Sequence, residues 1–360
     1  MARIGVYLGT VGDNTDNVVS EFTAWGRYLS EHDPEAFGST SLPASAREYY
    51  KEVRTKRRPP RGPFVKIVQS YLDCREYIRR RSPDVLVQLW KYRTQAPGIA
   101  VAGRQAGIPV LTRFAGDHFR EREWFDGAQR VSVSVLDSLC RIPPLLSEKT
   151  IVFGPYGRSE VVRNGTARED VVMHPPPGDV GERFQPPEDG IEQRRALNLP
   201  TDRRIALYVG RLSELKGMDF LREVIDAVAP RMEMSFVLVG DGPYRERFGT
   251  EFDDDLVRTV GYVPYEEVDQ YYKSADVYVH PSPLEGLPLV VLESLSCGVP
   301  VIAREAGDIG FVTPNVVQTP TEMTAMLLTD DWREVFCNYR YFSERYQREE
   351  LTKLISELMS

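Results

Sequence analysis

The 360 residues include four cysteines, Cys74, Cys140, Cys297 and Cys337, which lie far apart and form no C-x-x-C pair. That spacing supports neither a disulfide framework nor a zinc site, and it fits a reducing compartment. His32, His174 and His280 show no metal-ligand spacing. No run approaches the roughly 20 apolar residues of a spanning helix. The N-terminus runs at once into the short apolar stretch Arg3 to Leu8, without the charged region and long apolar core of a signal peptide. A cytoplasmic chain is therefore expected, with any membrane contact peripheral. Low-complexity segments and short-period repeats are lacking too, and no G-x-G-x-x-G follows the first apolar stretch, which argues against a dinucleotide-dependent dehydrogenase. The net charge of −8 argues against nucleic acid as the main partner, since phosphate backbones demand a basic face.

What is present is the profile of a packed enzyme, with 42% hydrophobic and 27% charged residues. The length suits two domains of roughly 150 to 180 residues. Charge is uneven. Between Lys51 and Arg81 stand eleven basic residues against three acidic ones, Glu52, Asp73 and Glu76. Two readings are open, a solvated helix face or a patch that sits on an anionic membrane.

Both halves alternate apolar strands with helical patterns, which implies parallel, doubly wound sheets and an α/β fold class. In the first half the strands are Arg3 to Leu8, Asp84 to Trp90 and Pro109 to Phe114, with helices near Asn17 to Ser30, Phe64 to Arg80 and Pro97 to Ala106. A basic, proline-broken connection fills the interval after the first helix. Pro175 to Gly178 and Pro186 to Gly190 form a Pro/Gly-rich interval that reads as a linker. Beyond it, strands are expected at Ile205 to Val209, Ser235 to Val239, Leu256 to Val260, Val277 to Val279 and Val299 to Ala303, with a helix from Leu287 to Cys297. The tail from Trp332 to Met359 reads as an amphipathic helix. The domains are thus 1–177, joined by 338–360, and 178–337.

Ligands of open parallel sheets bind outside the carboxyl ends of the strands. Four turns there carry distinctive residues. Gly210 to Gly217 holds Arg211 and Lys216 ahead of a helix, a combination suited to a diphosphate. Gly240-Asp241-Gly242 either admits a planar ligand to the backbone or makes a tight turn. Pro281 to Glu293 leads from a strand into a helix, with Glu285 before it and Glu293 about two turns, some 12 Å of rise, further on. That span suits one carboxylate holding sugar hydroxyls and the other a ribose. Asp117 and His118 follow a strand of the first half, where they either form a structural pair or supply polar groups near a reacting carbon. Asp253-Asp254-Asp255 follows no convincing strand and reads as a solvated turn.

Together these residues resemble the retaining glycosyltransferases of family four (glycosyl transferases group 1), whose GT-B fold has two facing Rossmann-like domains. The resemblance is carried by Val209-Gly-Arg-Leu, Lys216-Gly, Leu238-Val-Gly-Asp-Gly-Pro, Val260-Gly-Tyr-Val-Pro, Ala275-Asp-Val-Tyr-Val-His-Pro-Ser, the Glu285 to Glu293 motif and Cys297-Gly-Val-Pro-Val-Ile-Ala. It implies that Arg211 and Lys216 bind the donor diphosphate. Glu285 would contact the donor sugar, beside the amides near Gly286, Leu287 and Leu289, while Glu293 would take the ribose and backbone near Val263 the base. Gly12 stands where the family has a Gly-Gly turn, and Asp117 or His118 would fill the role of the family's histidine. No metal or other cofactor is expected. The implied activity is transfer of a sugar from a nucleotide-diphosphate-sugar to a glycan or lipid-linked acceptor hydroxyl. The alternatives are a catalytically silent nucleotide-sugar-binding scaffold and a nucleotide-sugar epimerase of the same fold.

Overall fold

The computed structural model describes residues 1–9, 16–56, 62–116, 119, 126–176, 183–329, 332 and 344–359. The chain divides into two compact units, Met1–Gly178 with Glu344–Ser360, and Asp179–Ser343.

The described strands of the first unit are β1 (Arg3–Tyr7), β2 (Asp33–Gly38), β3 (Lys51–Arg54), β4 (Val85–Gln88), β5 (Val110–Phe114), β6 (Lys149–Val152) and β7 (Val171–Met173). They run parallel in the order β3-β2-β1-β4-β5-β6-β7. Because side chains alternate across a strand, each buried strand feeds two cores. Ile4, Val6, Val85, Val87 and Leu111 pack with Phe22, Trp25 and Tyr28 of helix Asp16–Tyr28. Tyr7, Leu86 and Val110 point the other way, onto Cys74 and Tyr77 of helix Pro63–Arg81 and Ile99 and Ala102 of helix Tyr92–Ala106. Of the expected tail helix, Glu344–Leu358 is helical, residues 333–343 lie outside the described residues, and Leu351, Leu354, Ile355 and Leu358 enter the first of these cores. Buried His174 fastens it, with Nδ1 2.9 Å from the Pro175 carbonyl and Nε2 3.0 Å from that of Gln347. Burial lowers its pKa.

The second unit holds β8 (Arg204–Val209), β9 (Met234–Val239), β10 (Val257–Gly261), β11 (Val277–His280), β12 (Val301–Arg304) and β13 (Val316–Val317). They are parallel in the order β10-β9-β8-β11-β12-β13. Asp276 locks the centre, accepting the Ile205 amide at 2.6 Å and Arg194 Nη2 at 2.7 Å. The chain leaves β8 towards β9 and β10, then returns to lay β11 on the other side of β8. The crevice between β8 and β11 is therefore the topological switch point.

Two departures from the sequence reading concern β2 and β3, which occupy the connection taken to be broken and basic. β2 reads Asp-Pro-Glu-Ala-Phe-Gly, with a charge where an apolar residue is expected. Glu35 is fully buried there because Arg81 Nε donates to both carboxylate oxygens at 3.0 Å and the Tyr77 hydroxyl donates to Oε2 at 2.9 Å. Burial, and then the Glu35 carboxylate, push the Tyr77 hydroxyl well above its ordinary pKa, so it remains a donor. β3 is an edge strand, where charged residues block further pairing. The basic segment is accordingly partly neutralised within the fold. Lys51 pairs with Asp33, Arg54 with Glu52, Arg80 with Glu76 and Arg81 with Glu35.

Glu35→Ala should leave Arg81 and Tyr77 facing the sheet without their acceptor. Because Arg81 is 38% exposed and water relieves part of the loss, a cost of about 2 kcal/mol is expected, or roughly 4–8 °C in the midpoint of thermal unfolding. Calorimetry checks it, and an unchanged midpoint would show that the buried carboxylate contributes nothing.

Candidate functional site

The turns that leave β8, β9 and β11 meet at the switch point because glycines let backbone touch backbone. Gly240 adopts φ +133°, and a Cβ there would lie 1.9 Å from the Gly210 carbonyl oxygen. The glycines of the Gly240-Asp241-Gly242 turn thus serve its approach to the neighbouring turn. The Leu212 amide bonds the Asp241 carbonyl at 3.0 Å and the Tyr244 amide bonds the Leu212 carbonyl at 3.1 Å, zipping the two turns together. Gly217, at φ +76°, stands against the Pro281 carbonyl, where a Cβ would approach to 2.2 Å. This contact carries the residues beside it, Lys216 and the loop after Pro281, into reach of each other.

Lys216, on a 3-10 turn before helix Met218–Val228, donates from Nζ to Glu285 Oε1 at 2.6 Å. Residues 69 apart in sequence thus form an ion pair in which the Glu285 side chain is 11% exposed and the Lys216 side chain 38%. His280, the last residue of β11, sits beneath them with Nε2 3.3 Å from the same oxygen. Nδ1 lies 3.4 Å from the Tyr278 hydroxyl. Burial raises the pKa of Glu285, but the close His280 ring and the Lys216 ammonium outweigh it and hold the carboxyl at about 2. The Asp308 amide donates to the Gly286 carbonyl at 2.7 Å, bracing the loop from behind.

The helix that follows runs Leu289–Ser296, capped by Pro288. It starts two residues later than the sequence pattern suggests, so Glu285, Gly286 and Leu287 belong to the loop, and the distance to Glu293 is not a helical rise. Leu287 is buried, and Leu289 opens the helix half-buried. Glu293 is 2% exposed; its Oε1 accepts the Tyr265 hydroxyl and its Oε2 the Tyr272 hydroxyl, both at 3.0 Å. Arg211 lies exposed on the β8 turn, where its carbonyl accepts the Tyr208 hydroxyl at 2.9 Å. Val263 is half-buried in the loop after β10. Gly12, Asp117 and His118 lie outside the described residues. Asp253, Asp254 and Asp255 form an exposed turn, and among the described residues no group of three or more His, Cys, Asp or Glu side chains could hold a metal ion.

Sequence reasoning passed over His280, Tyr265 and Tyr272. His280 closes the run Ala275-Asp-Val-Tyr-Val-His, and its place at the carboxyl end of β11 is the signal that marks it. The tyrosines carry no such signal, because their contacts to Glu293 span 28 and 21 residues.

The low pKa of Glu285 has a consequence in acid. The folded value lies below the ordinary 4.5, so the stability it confers is present above pH 4.5 and is lost as pH falls towards 2. Glu285→Gln should therefore be less stable than the parent near neutrality by at most about 3 kcal/mol, with the gap closing towards about pH 2. Denaturant titrations across this range check it, and a gap that stays constant with pH would refute the assignment.

The sequence model of the family described as glycosyl transferases group 1 matches residues 189–312. Sulfoquinovosyl transferase SQD2 of Arabidopsis thaliana is 28% identical over 307 residues, covering 82% of this chain. The chain spans 58% of that relative's length. Among solved structures, sucrose-phosphate synthase from Thermosynechococcus elongatus superposes with a TM-score of 0.76 at 19% identity over 99% of both chains. Anabaena HepE, solved in complex with UDP and glucose, gives 0.72 at 15% identity over 99% of this chain and 100% of its own. The chain thus has the GT-B fold of two parallel doubly wound sheets, and its residues 189–312 match the family of glycosyl transferases group 1.

Proposed function

We propose that the chain transfers a sugar from a nucleotide-diphosphate-sugar to an acceptor hydroxyl, with retention at the anomeric carbon and without a bound metal. The observation that carries this reading is the Lys216–Glu285 pair at the β8/β11 switch point, a cation and a carboxylate placed side by side where an α/β sheet receives its ligand. In the reaction the acceptor hydroxyl attacks the anomeric carbon on the face that the nucleotide leaves. The departing diphosphate gains negative charge, and Lys216, Arg211 and the amides near Gly286, Leu287 and Leu289 stabilise it, a role otherwise open to a divalent ion. Glu285 takes donor-sugar hydroxyls, Glu293 the ribose, and backbone near Val263 the base. Gly12 is assigned to donor binding by the family resemblance, and Asp117 and His118 to catalysis near the reacting carbon by their place after a strand and by that resemblance.

A lipid-linked acceptor at the cytoplasmic face of a membrane is the finer form of this reading. It is supported by helix Pro63–Arg81, whose first turns expose Phe64, Val65 and Val68 by 42%, 54% and 58%, followed on the same side by exposed Arg75 and Arg79. Apolar side chains ahead of basic ones suit an anionic bilayer surface. Among the described residues no helix is long and apolar enough to cross a membrane. In liposome flotation the protein should rise with anionic vesicles and less so after Val65→Asp with Val68→Asp; equal flotation with neutral vesicles would refute the membrane reading.

The central test is a thermal-shift screen across nucleotide-sugars, followed by turnover with the donor that stabilises most. Lys216→Ala should lower kcat by about 100-fold or more, and Glu293→Gln should impair turnover severely. Wild-type-like rates in both variants would sink the proposal. Donor binding without release of nucleoside diphosphate would point to a scaffold, and interconversion of donors without acceptor to an epimerase.

A further inference from the structure

Glu293 presents a geometric conflict. The residue is 2% exposed and both its carboxylate oxygens already accept tyrosine hydroxyls, so a nucleotide can reach it only if a covering group gives way. The two tyrosines are unequal. Tyr272, on helix Asp269–Ser274, is fully buried, with its ring 5.8 Å from Phe184 and 5.7 Å from Tyr278. Burial, and then the Glu293 charge, raise its pKa far above the ordinary value, which keeps it a hydroxyl donor. Tyr265 instead opens the short 3-10 turn Tyr265–Glu267, directly after Val263 and Pro264, and is only half-buried. The Arg183 guanidinium lies 4.2 Å from its ring centroid and so fixes the ring where its hydroxyl meets Oε1.

We infer that the Tyr265 hydroxyl and a nucleotide ribose hydroxyl compete for Glu293 Oε1, while Tyr272 retains Oε2 in both arrangements. The chemistry matches, because each competitor offers one O–H to the same oxygen. Tyr265 is then a residue that sets donor affinity, and it lowers affinity by making binding displace an existing bond. The inference rests on the donor-site reading above.

The test measures the Kd of whichever of UDP, GDP and ADP stabilises the full chain most, for the parent, Tyr265→Phe and Tyr272→Phe. Tyr265→Phe preserves the ring under Arg183 and removes the competing hydroxyl, so the nucleotide should bind about fivefold more tightly, the size of one net hydrogen bond. Tyr272→Phe should bind it more weakly. If Tyr265 only supports the fold, Tyr265→Phe lowers the melting temperatures of free and nucleotide-bound protein alike and leaves Kd unchanged; that result, or weaker binding, overturns the inference. A wild-type measurement covers failure of a variant to fold. The 2′,3′-dideoxy form of the chosen nucleotide should bind more weakly than the parent nucleotide and should shift the melting temperature less. Equal binding would overturn both the ribose assignment and the inference, as would absence of binding by any of the three nucleotides. A ribose preference with Tyr265→Phe unchanged would overturn the inference alone.

Discussion

Parallel pairing forces each strand connection to cross the sheet, and in the second unit the crossing direction reverses between β8 and β11. That reversal splays the turns at the strand ends and opens a crevice beside β8. The site depends on it. Lys216 leaves one wall and Glu285 the other, and the Gly217–Pro281 backbone contact holds the walls close enough for a 2.6 Å ion pair. A cation and a carboxylate held this way are preorganised, so little rearrangement is needed when a charged ligand arrives.

The site is supported by a polar interior in which carboxylates are buried with chosen donors. Glu293 between two tyrosines, Asp276 between an amide and Arg194, and Glu35 between Arg81 and Tyr77 share this construction. Burial of a charge is costly unless its partners are in place, so each group fixes the elements it joins. Asp276 ties β8 to the start of β11, beneath the crevice. Glu35 does the same in the first unit, and in doing so pairs the charge of Arg81. The apolar start of helix Pro63–Arg81 consequently becomes as informative about the basic segment as its charge.

Much of the second unit was legible because its signals are local. Strands such as β9 are short and apolar apart from Ser235, and glycines mark the turns that follow β8 and β9. In the first unit β1, β4 and β5 were legible for the same reason. β2 was not, since a central glutamate reads as surface until a partner 46 residues away is known. The start of the helix after Glu285 was misplaced by two residues, because Leu287 is apolar and buried without being helical.

By itself the sequence determined the two doubly wound sheets, the turns at their strand ends and the residue types those turns present, because periodicity and glycine placement act over a few residues. Only the tertiary structure decided which side chains meet. The Lys216–Glu285 pair, the tyrosine pair on Glu293 and the Lys51–Asp33 and Arg81–Glu35 pairs of the basic segment all depend on contacts between residues distant in the chain. Such contacts are set by strand order and close backbone approach, which have no local imprint. For Glu285 and Glu293 the separation of eight residues mattered less than the turn between them, which is loop for its first half and helix for its second.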